Sequence, residues 1–175
     1  MKQRPIQATI RTHAGEPASR SESMSQQLRE VRSLWASGVA ILAVSDGEDL
    51  EAITVTAFNT VSLEPLLVLV CVDEQSAILP MLLEERRFTV SILPENAQRT
   101  ASMIANRMPL RDLPFAREGD PLLEGSLVAL VCRAWNDYPG GDHRIIVGEV
   151  ERIEQGVNTS PLLYFGREYG GLRSG

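Results

Sequence analysis

The stretch AITVTAFNTVSLEPLLVLVCVDEQS, residues 52–76, decides the fold. It opens with strand alternation through Ile53, Thr54, Val55 and Thr56, then passes through 57–63, a segment crowded with Asn59, Thr60 and Ser62. Pro65 closes that segment. LLVLVCV (66–72) follows as an apolar run of strand length and reads as a fully buried strand. Upstream, GVAILAV (38–44) and residues 50–56 flank Asp46-Gly47-Glu48-Asp49, so 38–56 reads as a hairpin. Downstream, FTVSIL (88–93), LVALVCRAW (127–135) and HRIIVGEVERI (143–153) are three further strands, the last two separated by a turn over 136–142 containing Pro139-Gly140-Gly141. Helical spacing is confined to three insertions. One starts at Ser25 as N-cap, carries Leu28, Val31, Leu34 and Trp35, and stops before Gly38; a second runs from a capping Ser76 through Glu85; a third covers 96–107. Six strands joined by hairpin-like turns, with helices inserted rather than alternating, predict a mainly β chain folded as an antiparallel barrel.

The length of 175 residues suits one domain. Residues 1–25 are polar with few apolar anchors and read as a flexible tail, leaving 26–175 as the domain. The tail holds Lys2, the chain's one lysine, and His13. The body then carries 13 arginines against 21 acidic residues, a net of −8, with His143 as its single histidine. That excludes a Schiff-base or phosphate-loop lysine and a multi-histidine metal site in the body. It also disfavours nucleic-acid binding, which wants clustered positive charge. No apolar run approaches the roughly 20 residues of a membrane helix, and the start lacks the hydrophobic segment of a secretory signal. Cys71 and Cys132 lie in apolar runs, match no zinc or redox spacing, and read as buried reduced thiols of a cytoplasmic protein. No G-x-G-x-x-G follows a strand and no G-x-S-x-G occurs, which argues against a Rossmann site and a serine hydrolase.

Four stretches could carry chemistry. Hydroxyls and backbone N–H groups over 54–62 can hold a polar ring edge or a phosphate without lysine, although threonines filling a strand explain the same residues. At Cys71–Ser76 an apolar strand runs into a polar turn and a helix start, a natural anion site, with Asp73 and Glu74 opposing an anion unless they point away. Asp142-His143 follows a Gly-Gly turn, where histidine can orient a ligand or move a proton; a plain turn histidine is the alternative. Tyr164, Phe165 and Tyr169 near the end of the chain could cover a ring or dock onto the core.

Order and spacing add what no single stretch gives. SGVAILAVSDGE, ITVTAFNTVSLEPLLVLVCVDEQS, FTVSIL, GDHRIIVGEVERIE and PLLYFGREYGGL stand in an order that resembles the flavin reductase family, from about Leu28 to Leu172. The chain departs from the family pattern at Ala52, where glycine is frequent, and at Leu66, where a second proline is usual. The resemblance implies a split β-barrel of Greek-key type with inserted short helices. It implies NAD(P)H-dependent reduction of FMN or FAD and delivery of reduced flavin to a separate monooxygenase. By position it implies that Thr54, Val55, Thr56 and Ala57 face the flavin ring, mainly through backbone groups. Asn59, Thr60 and Ser62 would line the ribityl and phosphate side, Cys71, Val72 and Asp73 flank the ring, and Gln75 and Ser76 lie near the phosphate. His143 would position the nicotinamide of NADH or NADPH, with Tyr169 as a neighbour.

A homodimer and a transient oxygenase partner are further implications of the resemblance. The alternatives are a flavin-binding electron carrier on the same barrel and a structural domain without cofactor. Arg144 or Arg167 could read a 2′-phosphate, and several body arginines are expected around the cleft to offset the acidic charge.

Overall fold

The computed structural model describes residues 20–116 and 118–172. It divides between Leu34 and Trp35 into two units. Helix α1, Arg20–Ser33, is the described part of the first. It begins ahead of Ser25, which therefore lies inside the helix instead of capping it; residues 1–19 of the expected tail lie outside the described residues.

The second unit runs β1 Ser37–Gly38, β2 Ala40–Ser45, β3 Leu50–Val55, β4 Phe58–Leu63, β5 Leu66–Asp73, α2 Ile78–Glu85, β6 Arg87–Ile92, α3 Gln98–Ala105, β7 Val128–Gly140, β8 His143–Gln155, β9 Leu163–Phe165 and β10 Glu168–Gly170. Seven strands form one antiparallel sheet in the order β3-β2-β6-β7-β8-β5-β4, while β1, β9 and β10 form a small sheet of their own. The outer strands of that order, β3 and β4, are consecutive in the chain and joined by Thr56 and Ala57 alone. Three Cα steps from Val55 to Phe58 span at most roughly 11 Å. The sheet must therefore curl until its first and last strands meet. No ladder joins them among the described residues, so the barrel is split at this seam.

Curling creates one interior. Leu42 and Val44 of β2, Val55 of β3, Val68, Val70 and Val72 of β5, Phe88 and Val90 of β6, Leu130 and Cys132 of β7 and Ile146 of β8 share a core with Ile78 and Leu82 of α2. The opposite face of β2, through Val39, Ile41 and Ala43, packs a second core with Ala101 and Ile104 of α3, Leu93, Phe115, Leu123 and Leu162. Both faces of β2 are covered, which is why AILAV reads as a continuous apolar run.

Several local expectations change. The Thr/Ser/Asn segment forms β4, a seventh strand of the barrel sheet. Strand β5 is not fully buried: Val68, Val70 and Val72 point inward, whereas Leu67, Leu69 and Cys71 are half-buried and Leu66 is exposed. Ser76 caps nothing with its side chain; Ala77 is the N-cap of α2 and carries no side-chain cap. The turn expected over 136–142 shrinks to two residues, because Pro139 pairs with Arg144 and Gly140 with His143. Gly141, at φ 79°, supplies the left-handed conformation that a tight hairpin turn needs. Pro139 is tolerated because β7 has already left β6, whose pairing ends at Arg133, so one edge is free there.

Gly148 of β8 marks a close approach. A Cβ there would overlap the Phe88 ring and crowd Cys132 in the barrel core. On the outer surface, Arg87 of β6 bridges Asp120 and Glu151 of β8, Arg133 of β7 joins Glu151, and Arg152 joins Asp120. These arginines hold the Glu151 carboxyl below its ordinary value, Arg133 first and Arg87 second.

Two outcomes follow. Gly148→Ala should destabilise the fold by about 1–3 kcal/mol through overpacking, read as a lower urea midpoint at unchanged slope. A carboxylate with a depressed folded-state pKa contributes stability above its unfolded value of 4.5, lost as pH falls through the folded value. Wild type should therefore lose stability more steeply than Glu151→Gln below about pH 4.5, measured by urea unfolding at stepped pH.

Candidate active site

The seam between β3 and β4 is the natural site, because it is where the sheet leaves backbone groups unspent. The Ala57 carbonyl accepts the Cys71 N–H at 3.1 Å, but no described residue takes the N–H groups of Thr56 or Ala57. Both residues are exposed. Val55 turns its side chain into the barrel core and offers only backbone. The Thr54 hydroxyl donates to the Ala101 carbonyl of α3 at 2.8 Å, so it ties β3 to that helix. Asn59 and Thr60 are exposed on the edge strand β4. The Ser62 hydroxyl accepts the Glu64 N–H at 3.2 Å and shapes the β4–β5 turn beside a bulge.

Across the seam stands the outer face of β5 and β8. Cys71 pairs with Ile145 and Asp73 with His143, whereas Val72 faces the core and can flank a ligand only through its backbone. The two acids that threatened an anion are both occupied. The Asp73 carboxylate accepts the Gln75 N–H at 2.8 Å, folding back onto its own turn. Glu74 is held by Arg144 at 3.1 Å, and Arg144 also donates to Asp137 at 2.7 Å. Arg144, with Arg167 a candidate to read a 2′-phosphate, is thus engaged by two carboxylates, and these raise its pKa, Asp137 first.

His143 opens β8 half-buried, its Nδ1 2.7 Å from Asp142 Oδ1. A carboxylate only accepts, so Nδ1 carries the hydrogen and Nε2 is the nitrogen turned to other partners. Burial raises the Cys71 thiol, and pushes Cys132 in the barrel up to about 12. Neither is a nucleophile near neutral pH.

Ser76 is drawn close to this strand end by its N–H donating to the Asp73 carbonyl at 2.9 Å. Beyond it the surface opens into a cleft of about 530 Å³ between β3, the start of α2 and the segment after α3, where Arg107 and Arg111 stand. The spacing of those two arginines in a proline-rich loop gave no signal; only the charge balance did. Tyr169 meets Tyr164 edge-on at 5.3 Å, bonds Ser102 and packs against the α3 core, and burial raises its hydroxyl pKa.

Comparison with known proteins agrees with this geometry. The model of the flavin reductase like domain matches residues 32–173. The reductase component of 4-hydroxyphenylacetate 3-monooxygenase from Thermus thermophilus is 41% identical over 150 residues, covering 83% of this chain and 95% of that protein. An NADH-dependent flavin reductase from Rhodococcus sp is 35% identical, covering 72% and 74%. The crystal structure of BorF, the flavin reductase component of a bacterial two-component tryptophan halogenase, superposes with a TM-score of 0.79 at 35% identity, covering 86% of this chain and 99% of that one. Barrel, seam and sequence order agree, and the chain belongs to the flavin reductase like domain family.

Proposed function

We infer that the protein reduces FMN or FAD with NADH or NADPH and delivers the reduced flavin to a separate oxygenase component. The observation that carries this is the seam itself. Two unspent N–H groups, at Thr56 and Ala57, face a half-buried strand surface that ends at His143, with no activated nucleophile among them. The residues fit a flavin: unpaired N–H donors suit the carbonyl and nitrogen edge of its ring, and the outer face of Leu69, Cys71 and Ile145 is apolar enough to pack the ring's flat side.

When bound, the flavin supplies the two-electron chemistry, accepting hydride from the reduced nicotinamide. The chain's own work is positional. Thr56 and Ala57 hold the ring edge through backbone donors that need no reorganisation. Cys71 and Asp73 would border the ring, and Asn59 and Thr60 would line the ribityl and phosphate side. Asp142 fixes His143 in one tautomer, which would leave Nε2 to position the nicotinamide. The relatives support the assignment by their names, a monooxygenase reductase component and a flavin-dependent monooxygenase reductase subunit.

On the same reading the protein is a cytoplasmic homodimer. The β4–β5 hairpin supports the dimer: Val61, Leu63 and Leu66 are 50%, 84% and 46% exposed, an apolar cluster suited to a second copy. Both cysteines are free thiols, as a reducing compartment would keep them.

Following the NADH absorbance band with FMN, FAD or riboflavin added in turn should show flavin-dependent oxidation; retained flavin colour with no oxidation would instead identify an electron carrier. His143→Ala should lower kcat or raise the nicotinamide KM roughly tenfold, with flavin affinity largely kept. If neither parameter moves, His143 has no part in the reaction. In thiol alkylation of the native protein, Cys71 should react slowly and Cys132 only after unfolding, and saturating FMN should slow Cys71 further.

A further inference from the structure

Strand β7 outruns its partner. Its ladder with β6 ends at Arg133, and the Ala134 N–H makes one more bond, to the Arg86 carbonyl at 2.8 Å. Beyond Ala134, β7 is paired with β8 alone among the described residues, up to the turn that delivers His143. A strand held from one side gives way more readily than one held from both.

Four charged side chains take over where the ladder stops. Arg144 donates through Nε to Glu74 at 3.1 Å and through Nη1 to Asp137 at 2.7 Å. Asp137 lies 3.9 Å from Arg86, whose Nη2 also donates to the Ala134 carbonyl at 2.9 Å. Glu74 precedes α2 in the chain, and Arg86 is that helix's C-cap. The alternating row Glu74, Arg144, Asp137, Arg86 therefore ties both flanks of α2 to the tip of the β7–β8 hairpin. Ile78 and Leu82 of α2 are fully buried in the barrel core, so the tie leads to a firmly packed element. The Glu74 N–H adds a backbone bond to the Asp142 carbonyl at 3.0 Å.

The row and His143 stand on opposite faces. Cross-strand partners share a face of a sheet, and successive residues alternate. Arg144 pairs with Val72 and Asp137 with Ile146, both core residues, which puts the row on the barrel side. His143 pairs with Asp73 on the outer side. Arg144 thus acts on the outer face only through the backbone it shares with His143. Isolated surface ion pairs contribute little, but here one planar guanidinium serves two carboxylates, and the Arg144 and Asp137 side chains are only 29% and 21% exposed.

We propose that Arg144 is a positioning residue for His143: by clamping Asp137 and Glu74 it fixes the hairpin tip, and with it the imidazole that meets the nicotinamide. The proposal rests on the flavin reading above and extends it from His143 to the residues that hold His143 in place.

The test is steady-state NADH oxidation by the full chain at saturating FMN, with FMN affinity by fluorescence titration and melting temperature alongside. The variants are His143→Ala, Arg144→Gln, Arg144→Lys, Asp137→Asn, and Arg144→Gln combined with His143→Ala. Arg144→Gln should move whichever of kcat and nicotinamide KM His143→Ala moves, in the same direction and roughly fivefold, with FMN affinity largely kept. Asp137→Asn should act likewise, and Arg144→Lys should recover part of the loss, since an ammonium replaces the charge but not the fork. In the His143→Ala background, Arg144→Gln should add nothing, because residues that act through one another are non-additive. An equal effect in both backgrounds, or a fall in melting temperature or FMN affinity alone, overturns the proposal. Wild type without flavin-dependent NADH oxidation sinks the flavin reading and the clamp together. A silent His143→Ala removes the role of His143 and the clamp with it, whereas an active wild type with a silent Arg144→Gln sinks the clamp alone.

Discussion

Thr56 and Ala57 join strands that stand at opposite ends of a seven-strand order, and that covalent constraint shapes the rest of the molecule. A two-residue link cannot span an open sheet, so the sheet rolls up. Rolling encloses Val55, Val70, Phe88 and Ile146 in one interior, which Ile78 and Leu82 of α2 share. The same link leaves two N–H groups without a ladder, facing outward beside a half-buried strand. Closure and binding capacity thus have one origin: the residues that make the sheet a barrel are those whose backbone is left to meet a ligand.

The sequence made the barrel legible through alternation and turn chemistry, and the strands at 38–45, 50–55, 66–73 and 87–92 lie close to their expected places. Where expectation and structure part, a tertiary contact decides. Residues 58–63 read as a polar segment because their partner, β5, supplies the pairing that local pattern does not show. LLVLVCV read as fully buried because apolar residues on an outward face look the same as buried ones when nothing in the chain covers them. Ser76 had a capping residue's identity without its geometry, since the preceding turn consumed its N–H.

The site was legible in part. The Ala57 carbonyl bonds Cys71, and His143 pairs with Asp73 two residues on, but Val55 and Val72 face the core, which single-residue reading could not tell from facing outward. Tyr169 packs against the α3 core, a contact that its place in the sequence did not reveal. The charges were the least legible component. Which arginines are free depends on which carboxylates fold beside them, and Arg144, one of the sequence's two candidates, is clamped by Glu74 and Asp137.

The seam also has a mechanical meaning. Elsewhere in the barrel, separating two neighbouring strands would break a row of backbone hydrogen bonds. Between β3 and β4 there is no such row among the described residues, only a short covalent tether at one end. Parting these two edges costs side-chain contact and no ladder, so the barrel is most compliant at this seam. A closed barrel of the same strands would hold its contents more firmly and exchange them more slowly.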